Sequence, residues 1–174
     1  MKNLKNLNLK KLIKKIIPFA MTTFALSCSN DVSSEYPAPP LEATFIKSGT
    51  GQKFKGSEEY FTGEVEGEYI TAPNSASQFS VAYVTFQAGA RTAWHTHPAG
   101  QHFIVVEGIG LTQEDGKPIR EIRVGDVLYC PPNVKHWHGA SPNSYMKHAA
   151  ITGVSNGSGV TWMEKVTDEE YNER

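Results

Sequence analysis

Four side chains have the types and the spacing of a metal site: His95, His97, Gln101 and His136. Residues two apart in an extended strand project from the same face, so His95 and His97 can present two imidazoles to one point. Three neutral imidazoles and an amide oxygen suit a divalent first-row metal that prefers mixed nitrogen and oxygen donors. Metal binding is therefore the first chemistry that the sequence predicts.

Two turns have to position these ligands. Residues 98–100 (Pro-Ala-Gly) reverse the chain, so that Gln101 starts a new strand facing the same interior. Residues 131–133 (Pro-Pro-Asn) form the second turn, after which His136 has to come from a distant strand to complete the set. The predicted site thus needs a fold in which strands remote in sequence share one interior.

Short runs of β-branched and aromatic residues, broken by Gly, Pro and Asn, follow one another along most of the chain. This pattern predicts an all-β sandwich or barrel. The predicted strands cover residues 44–47, 60–65, 79–87, 101–106, 119–124, 127–130 and 146–152. Only residues 167–171 look helical, because Thr167 and Glu170 have the spacing of a capping box.

The first 27 residues have the layout of an export signal. They contain six lysines and no acid, and the apolar stretch of residues 16–26 is too short to span a bilayer. Residues 25–28 (Ala-Leu-Ser-Cys) resemble the lipobox of bacterial lipoproteins, which implies that Cys28 becomes the first mature residue and carries lipid. The alternative is an ordinary cleaved signal peptide with an incidental cysteine. The expected location is the cell envelope, in the periplasm or at the cell surface.

Beyond Cys28 the chain is acidic. Taking the six N-terminal lysines from the 17 basic residues leaves 11 against 18 acidic ones, a net charge of −7. A chain of that sign without a basic stripe has no electrostatic footprint for nucleic acid. Residues 28–42 are polar and proline-rich and are predicted to be a tether, and residues 43–174 suffice for a single domain. Cys130 lies in an apolar run and is expected to be a buried hydrophobe.

Two spaced motifs resemble those of the cupin family. Gly89-x5-His95-x-His97-x3-Gln101-x6-Gly108 is similar to the first cupin motif, with glutamine where glutamate is most common. Gly125-x5-Pro131-x-Asn133-x2-His136 is similar to the second, with Asn133 in place of the usual glycine. Asparagine tolerates the left-handed conformation, so this exchange is mild. The resemblance implies a small jelly-roll-like antiparallel barrel with a short C-terminal helix.

More narrowly, residues 94–101, 136–140, 148–151 and 162–166 resemble bacterial cupins that include manganese-dependent hydroxynitrile lyases, whose relatives are often associated with carboxymuconolactone decarboxylases. This resemblance implies manganese as the metal, with iron, zinc or nickel as alternatives. Small cupins often pair through their sheets, which implies a homodimer in which a segment such as residues 44–47 crosses to the partner.

Gln101 narrows the expected chemistry. A glutamate at this position lowers the charge of the site and can accept a proton, whereas four neutral ligands keep the full dipositive charge of the metal. We therefore expect a Lewis-acid lyase, isomerase or decarboxylase that acts on a small carbonyl or hydroxy compound. Two alternatives remain: a non-catalytic cupin that binds a small ligand or a metal, and a metal-dependent dioxygenase.

A lyase of this kind needs a proton carrier near the metal, and histidine titrates near neutral pH. His148 is the candidate, because the resemblance places its strand along the cavity. His138, two residues from His136, is expected in the pocket wall or as a donor behind the ligands. The resemblance adds three further pocket residues, which are Ala82, Val84 and Thr152.

Overall fold

The computed structural model describes residues 36–173, so the predicted signal peptide, Cys28 and the start of the tether lie outside the described residues. The described part forms strands and one short helix. The strands of the first half of the chain are β1 (Gln52–Lys55), β2 (Phe61–Thr62), β3 (Val65–Thr71), β4 (Phe79–Phe86), β5 (Arg91–Thr92) and β6 (His95–Thr96). They are followed by β7 (Gln101–Glu114), β8 (Arg120–Arg123), β9 (Val127–Cys130), β10 (His136–Ala140), β11 (Met146–Gly153), β12 (Thr161–Trp162) and α1 (Asp168–Asn172).

Every strand pair is antiparallel, and the long strand β7 joins the two halves of one curled sheet. One half has the order β1-β3-β4-β11-β7-β9, and the other places β10 beside the C-terminal part of β7. Gly108 lies at the join with a φ of 77°, and a Cβ there would collide with the Tyr145 carbonyl. A glycine at this position therefore lets β7 bend from one half into the other. The result is the all-β cupin architecture that the sequence predicts.

The main core lies between the two halves. Alternation along β4 and β7 turns Phe86, Phe103 and Val105 inward, where they pack with Met146 of β11. A second cluster lies on the other side of β10 and contains Trp94, Leu111, Trp137, Val166 and Tyr171. The inner side of the curled sheet is thus apolar at its base, and the polar site residues lie above this base.

Helix α1 closes the second cluster and has the predicted cap. The Thr167 hydroxyl accepts from the Glu170 amide, and the Glu170 carboxylate accepts from the Thr167 amide. Both halves of the capping box are therefore confirmed. Within residues 36–173, no helix is long and apolar enough to cross a membrane.

Most predicted strands are present, and one prediction is wrong. Residues 44–47 form no strand, because they lie on the surface with no neighbouring strand to pair with, and Phe45 is 90% exposed. The strand predicted over residues 60–65 is divided by Gly63 at a φ of 78° into β2 and the start of β3. Strand β10 was not predicted, since its sequence of histidine, tryptophan and glycine lacks the alternation of a strand.

Candidate metal centre

Three buried histidines meet where β6 and β10 pair. His95 and His136 are direct partners in the ladder, and their ring centroids are 4.3 Å apart. His138 lies two residues further along β10 on the same face, 5.2 Å from the His95 ring and 5.8 Å from the His136 ring. One ring nitrogen from each of the three lies within 4.8 Å of the others. These three histidines could bind a metal ion.

His97 and Gln101 lie beside this cluster. The His97 ring is 4.9 Å from His95 and 5.3 Å from His136, and the turn that follows it contains Gly100 at a φ of 78°. Asn133 has a φ of 62°, which confirms that asparagine replaces the usual glycine in a left-handed conformation, and its amide donates to the His97 carbonyl. The two predicted turns therefore meet at the site.

Backbone carbonyls fix the tautomers of the predicted ligands. The Nδ1 atoms of His95, His97 and His136 contact the carbonyl oxygens of Ala93, Gly159 and Val134 at 3.0, 2.6 and 3.0 Å. A carbonyl can only accept, so each Nδ1 carries the proton and each Nε2 keeps its lone pair.

Three of the remaining lone-pair atoms of the predicted ligands have no partner in the described part of the chain. The Nε2 atoms of His97 and His136 are buried without a hydrogen-bond partner among residues 36–173. The Gln101 side chain donates from Nε2 to the Thr152 hydroxyl at 2.9 Å, which leaves its Oε1 buried and unpartnered within the described chain. Buried polar atoms are normally satisfied, so this group of orphaned nitrogen and oxygen lone pairs fits a divalent metal.

The electrostatics keep these imidazoles neutral. Burial lowers the pKa of His95, His136 and His138, and the neighbouring histidines lower that of His95 and His138 further. Burial also lowers the pKa of His97 to about 4, although the Gly159 carbonyl opposes this shift. Metal ligands must be deprotonated, so the burial that excludes the imidazolium form favours metal binding.

His148 occupies a separate place above the cluster. It is 1% exposed and stacks on Phe86 with centroids 5.7 Å apart, while the Phe103 ring lies 4.7 Å away. Neither ring nitrogen has a partner in the described part of the protein. Burial lowers its pKa to about 3, so the ring is neutral at neutral pH. It therefore offers a neutral imidazole with an unpartnered lone pair, its ring centroid 5.1 Å from that of His138.

A cavity of about 480 Å³ connects these groups and falls in the size range of small-molecule sites. The polar part of its lining includes His95, His97, Gln101, His138 and His148. The predicted pocket residues Ala82, Val84, His138 and Thr152 all line it as well. His136 instead borders a second cavity, of about 50 Å³, together with Thr112 and Cys130.

The structure places His138 closer to the predicted metal ligands than the sequence indicates. His138, expected in the wall, has a ring nitrogen within 4.8 Å of those of His95 and His136, although the His97 ring centroid is the closer one to both of them. The repeated spacing, His95 with His97 and His136 with His138, contains the signal for this second pair. His102 lies on the outer face, stacked on Tyr129, as its position opposite Gln101 predicts. Cys130 is buried, and burial raises the pKa of its thiol to about 12, so it is no nucleophile.

Comparison with known proteins defines the class of this protein. Residues 82–147 match the model of the cupin domain. A cupin-like protein of known crystal structure from Thermotoga maritima is 40% identical, with a TM-score of 0.64 over 75% of this chain and 95% of that one. The chain therefore belongs to the cupin family.

The relatives also include an enzyme. The (R)-mandelonitrile lyase of Granulicella tundricola is 46% identical over 123 residues, which are 71% of this chain and 94% of that protein. A predicted oxalate decarboxylase from Thermotoga maritima shares only 17% identity, with a TM-score of 0.57 over 69% of this chain and 100% of its own, and supports the fold alone.

Proposed function

We propose that this protein is a metal-dependent lyase that cleaves the carbon–carbon bond of an α-hydroxynitrile, with mandelonitrile as the first substrate to test. The observation that carries this proposal is the group of orphaned Nε2 and Oε1 lone pairs beside a cavity that holds a free imidazole, His148. The activity named for the Granulicella tundricola relative supports the choice of reaction.

Two sets of residues could hold the metal. The predicted set is His95, His97, Gln101 and His136, and each side chain in it is oriented by a hydrogen bond that leaves one donor atom free. His138 offers a competing third imidazole. We favour the first set and manganese, because the fixed tautomers and the mixed nitrogen and oxygen donors suit a hard divalent ion. When bound, the metal would supply Lewis acidity that stabilises negative charge on the substrate oxygen.

The protein's own residues then move one proton. A ring nitrogen of His148 accepts the proton of the substrate hydroxyl, and the O–H electron pair becomes the second bond of the carbonyl group. The bond between the hydroxyl-bearing carbon and the nitrile carbon breaks, and its electron pair stays on the departing cyanide. The proton passes from His148 to cyanide, so the products are an aldehyde and hydrogen cyanide. The nitrogens of His148 are open to both transfers because no protein group in the described chain occupies them. The lowered pKa of this imidazole favours the second transfer, in which the ring returns the proton.

The neutral amide of Gln101 suits this reaction better than oxygen chemistry. Its Oε1 adds no charge to the site, so the bound ion keeps its full attraction for an alkoxide-like oxygen. The Thr152 hydroxyl accepts from Gln101 Nε2 at 2.9 Å and thereby fixes which end of the amide faces the cluster.

The test is benzaldehyde production from mandelonitrile by metal-loaded protein, compared with His148→Ala. General acid–base catalysis contributes roughly 100- to 10,000-fold, so we expect a loss of at least about 100-fold in kcat with the metal retained. His102→Ala is the matched control, because His102 is exposed on the outer face. Full activity of His148→Ala would contradict the assigned role, and an inactive loaded wild type would contradict the reaction.

A further inference from the structure

We propose that Trp162, with the aromatic residues packed on it, forms the binding face for an aromatic ring of the substrate, and that Trp162 selects aryl over alkyl compounds. This inference rests on the proposed function, because it assigns the substrate class of the same cavity. We call this face the aromatic wall, and its members are Tyr60, Phe61, Phe86 and Trp162.

Trp162 lies next to the histidine cluster because of strand register. Strand β12 pairs with β6, and Trp162 stands directly opposite His95 in this ladder. The two rings are 5.0 Å apart at a tilt of 47°. A ligand that touches Trp162 is therefore within one ring's distance of the candidate metal centre.

The aromatic wall continues from Trp162 to His148. Tyr60 stacks on Trp162 at 4.9 Å with an angle of 10°, and Phe61 meets Trp162 edge-on at 5.4 Å. Phe61 in turn lies 6.2 Å from Phe86, on which His148 stacks. The wall thus links the histidine cluster with the free imidazole. A ring bound along it would place its substituent carbon between the two groups that the reaction needs.

The strands that continue the lining from Phe86 have small side chains. Ala82 of β4 and Ala150 of β11 are ladder partners, and both line the cavity together with Val84. Small side chains beside the rings leave room for a flat group. Aromatic pairs gain attraction beyond the burial of their area, and a saturated ring of the same size does not.

The other tryptophans differ from Trp162 in their surroundings. Trp94 and Trp137 are both buried, 4% and 0% exposed, in the cluster beneath helix α1. Trp162 is only partly buried and faces the cavity. A tryptophan that serves only in packing can be buried on every side, whereas a tryptophan that binds a ligand needs an exposed face.

The test compares the binding of benzyl alcohol and cyclohexylmethanol to the full protein by calorimetry, with and without added manganese. These probes have the same substituent and similar size, but only one has a π-face. We expect the wild type to bind benzyl alcohol about three- to tenfold more tightly. Trp162→Leu should reduce this ratio to about one. The control Tyr145→Leu replaces an exposed aromatic residue outside the cavity lining and should keep the wild-type ratio.

A second variant keeps the proposal testable if Trp162→Leu fails to fold. Tyr60 lies outside the strands, so Tyr60→Leu removes one ring of the stack without breaking a ladder, and it should lower the same ratio. A wild-type ratio near one, or an unchanged ratio in both folded variants, would overturn the proposal. An aryl preference in binding without mandelonitrile cleavage would support this inference and overturn the proposed reaction. Equal rates of cleavage of the phenyl and cyclohexyl hydroxynitriles would support the proposed reaction and overturn the aryl preference inferred for Trp162.

Discussion

At the scale of single residues, the candidate metal centre depends on hydrogen bonds made behind the ligands. Gln101 donates from Nε2 to the Thr152 hydroxyl, and this bond decides that the amide oxygen rather than the nitrogen is left for a metal. Gly159 orients His97 in a similar way, because its carbonyl oxygen accepts the hydrogen bond from Nδ1 and so keeps the proton on that nitrogen. These contacts fix the orientation of the side chains whose lone pairs could bind a metal.

Thr152→Val therefore tests the orientation of Gln101. Valine keeps the shape of the side chain but removes the acceptor, so the amide is free to turn its NH₂ group toward the cluster. Loss of such a supporting contact typically costs 10- to 100-fold in metal affinity, and we expect a loss of about that size in a manganese titration. Thr85→Val, on the outward face of β4, is the control. Equal affinities of Thr152→Val and the wild type would show that Gln101 is not a ligand.

At His148 we expect a conflict between turnover, which needs the imidazole, and the unfolding free energy, which its unpartnered nitrogens reduce. Both of its ring nitrogens are buried without a partner within residues 36–173, between Phe86 and Phe103. An unsatisfied buried polar group destabilises a fold by about 1–3 kcal/mol. His148→Phe should therefore raise the unfolding free energy of the metal-free protein by about 1 kcal/mol in urea denaturation, while abolishing turnover. A clear loss of stability would mean that the imidazole has a partner in solution.

At the scale of elements, the segment before β1 has apolar side chains without a place in the fold. Leu41 is fully exposed and Phe45 is 90% exposed, and no contact within the described fold explains either apolar side chain at the surface. The outward face of the sheet also exposes apolar residues on two adjacent strands, Ile104 of β7 and Val127 and Tyr129 of β9. Each large apolar side chain gains roughly 1.5–3 kcal/mol when buried. A second copy of the chain could cover these surfaces.

We accordingly predict a homodimer that depends on residues 41–47. Light scattering after size exclusion should give twice the monomer mass, and the double variant Leu41→Ser, Phe45→Ser should shift the protein toward monomer. Lys47→Ser alters the same segment without removing apolar surface and should remain dimeric. A wild type that is monomeric at micromolar concentration would rule out this role of the segment.

The elements also show what a sequence can predict. Strands β4, β9 and β11 are short runs rich in apolar and β-branched residues between turn residues, and their bounds follow closely from that composition. Strand β10 does not alternate, and its burial is complete along all five residues, so its pattern is not that of a half-buried strand. That the histidines of the two motifs lie close together was predictable from their spacing. The grouping of His138 with His95 was not, because it depends on the pairing of strands about 40 positions apart.

At the scale of the whole molecule, the location of the protein is a prediction from residues 1–28. If Cys28 carries lipid, the wild-type protein should sediment with membranes, and Cys28→Ser should appear in the soluble envelope fraction. Cys130→Ser is the control, since Cys130 is buried within the fold. Identical fractionation of wild type and Cys28→Ser would leave only an ordinary cleaved signal.

The molecule joins in one curled sheet a candidate metal centre on one pair of strands and the unpartnered imidazole of His148 on another. Strands β10 and β11 both pair with the long strand β7, and β6 pairs with β10, so the fold sets the distances between the cluster and His148. Fixed distances of this kind are what a lyase needs, because no part of the site has to assemble around the substrate.

The most direct test is the rate of mandelonitrile cleavage as a function of metal occupancy. Protein stripped with a chelator and reloaded stepwise with manganese should form benzaldehyde at a rate proportional to bound metal, up to one ion per chain. We predict negligible turnover in the stripped protein and full recovery on reloading. Turnover that is unchanged by stripping, or absent at full occupancy, would contradict the central claim that this cupin is a metal-dependent lyase.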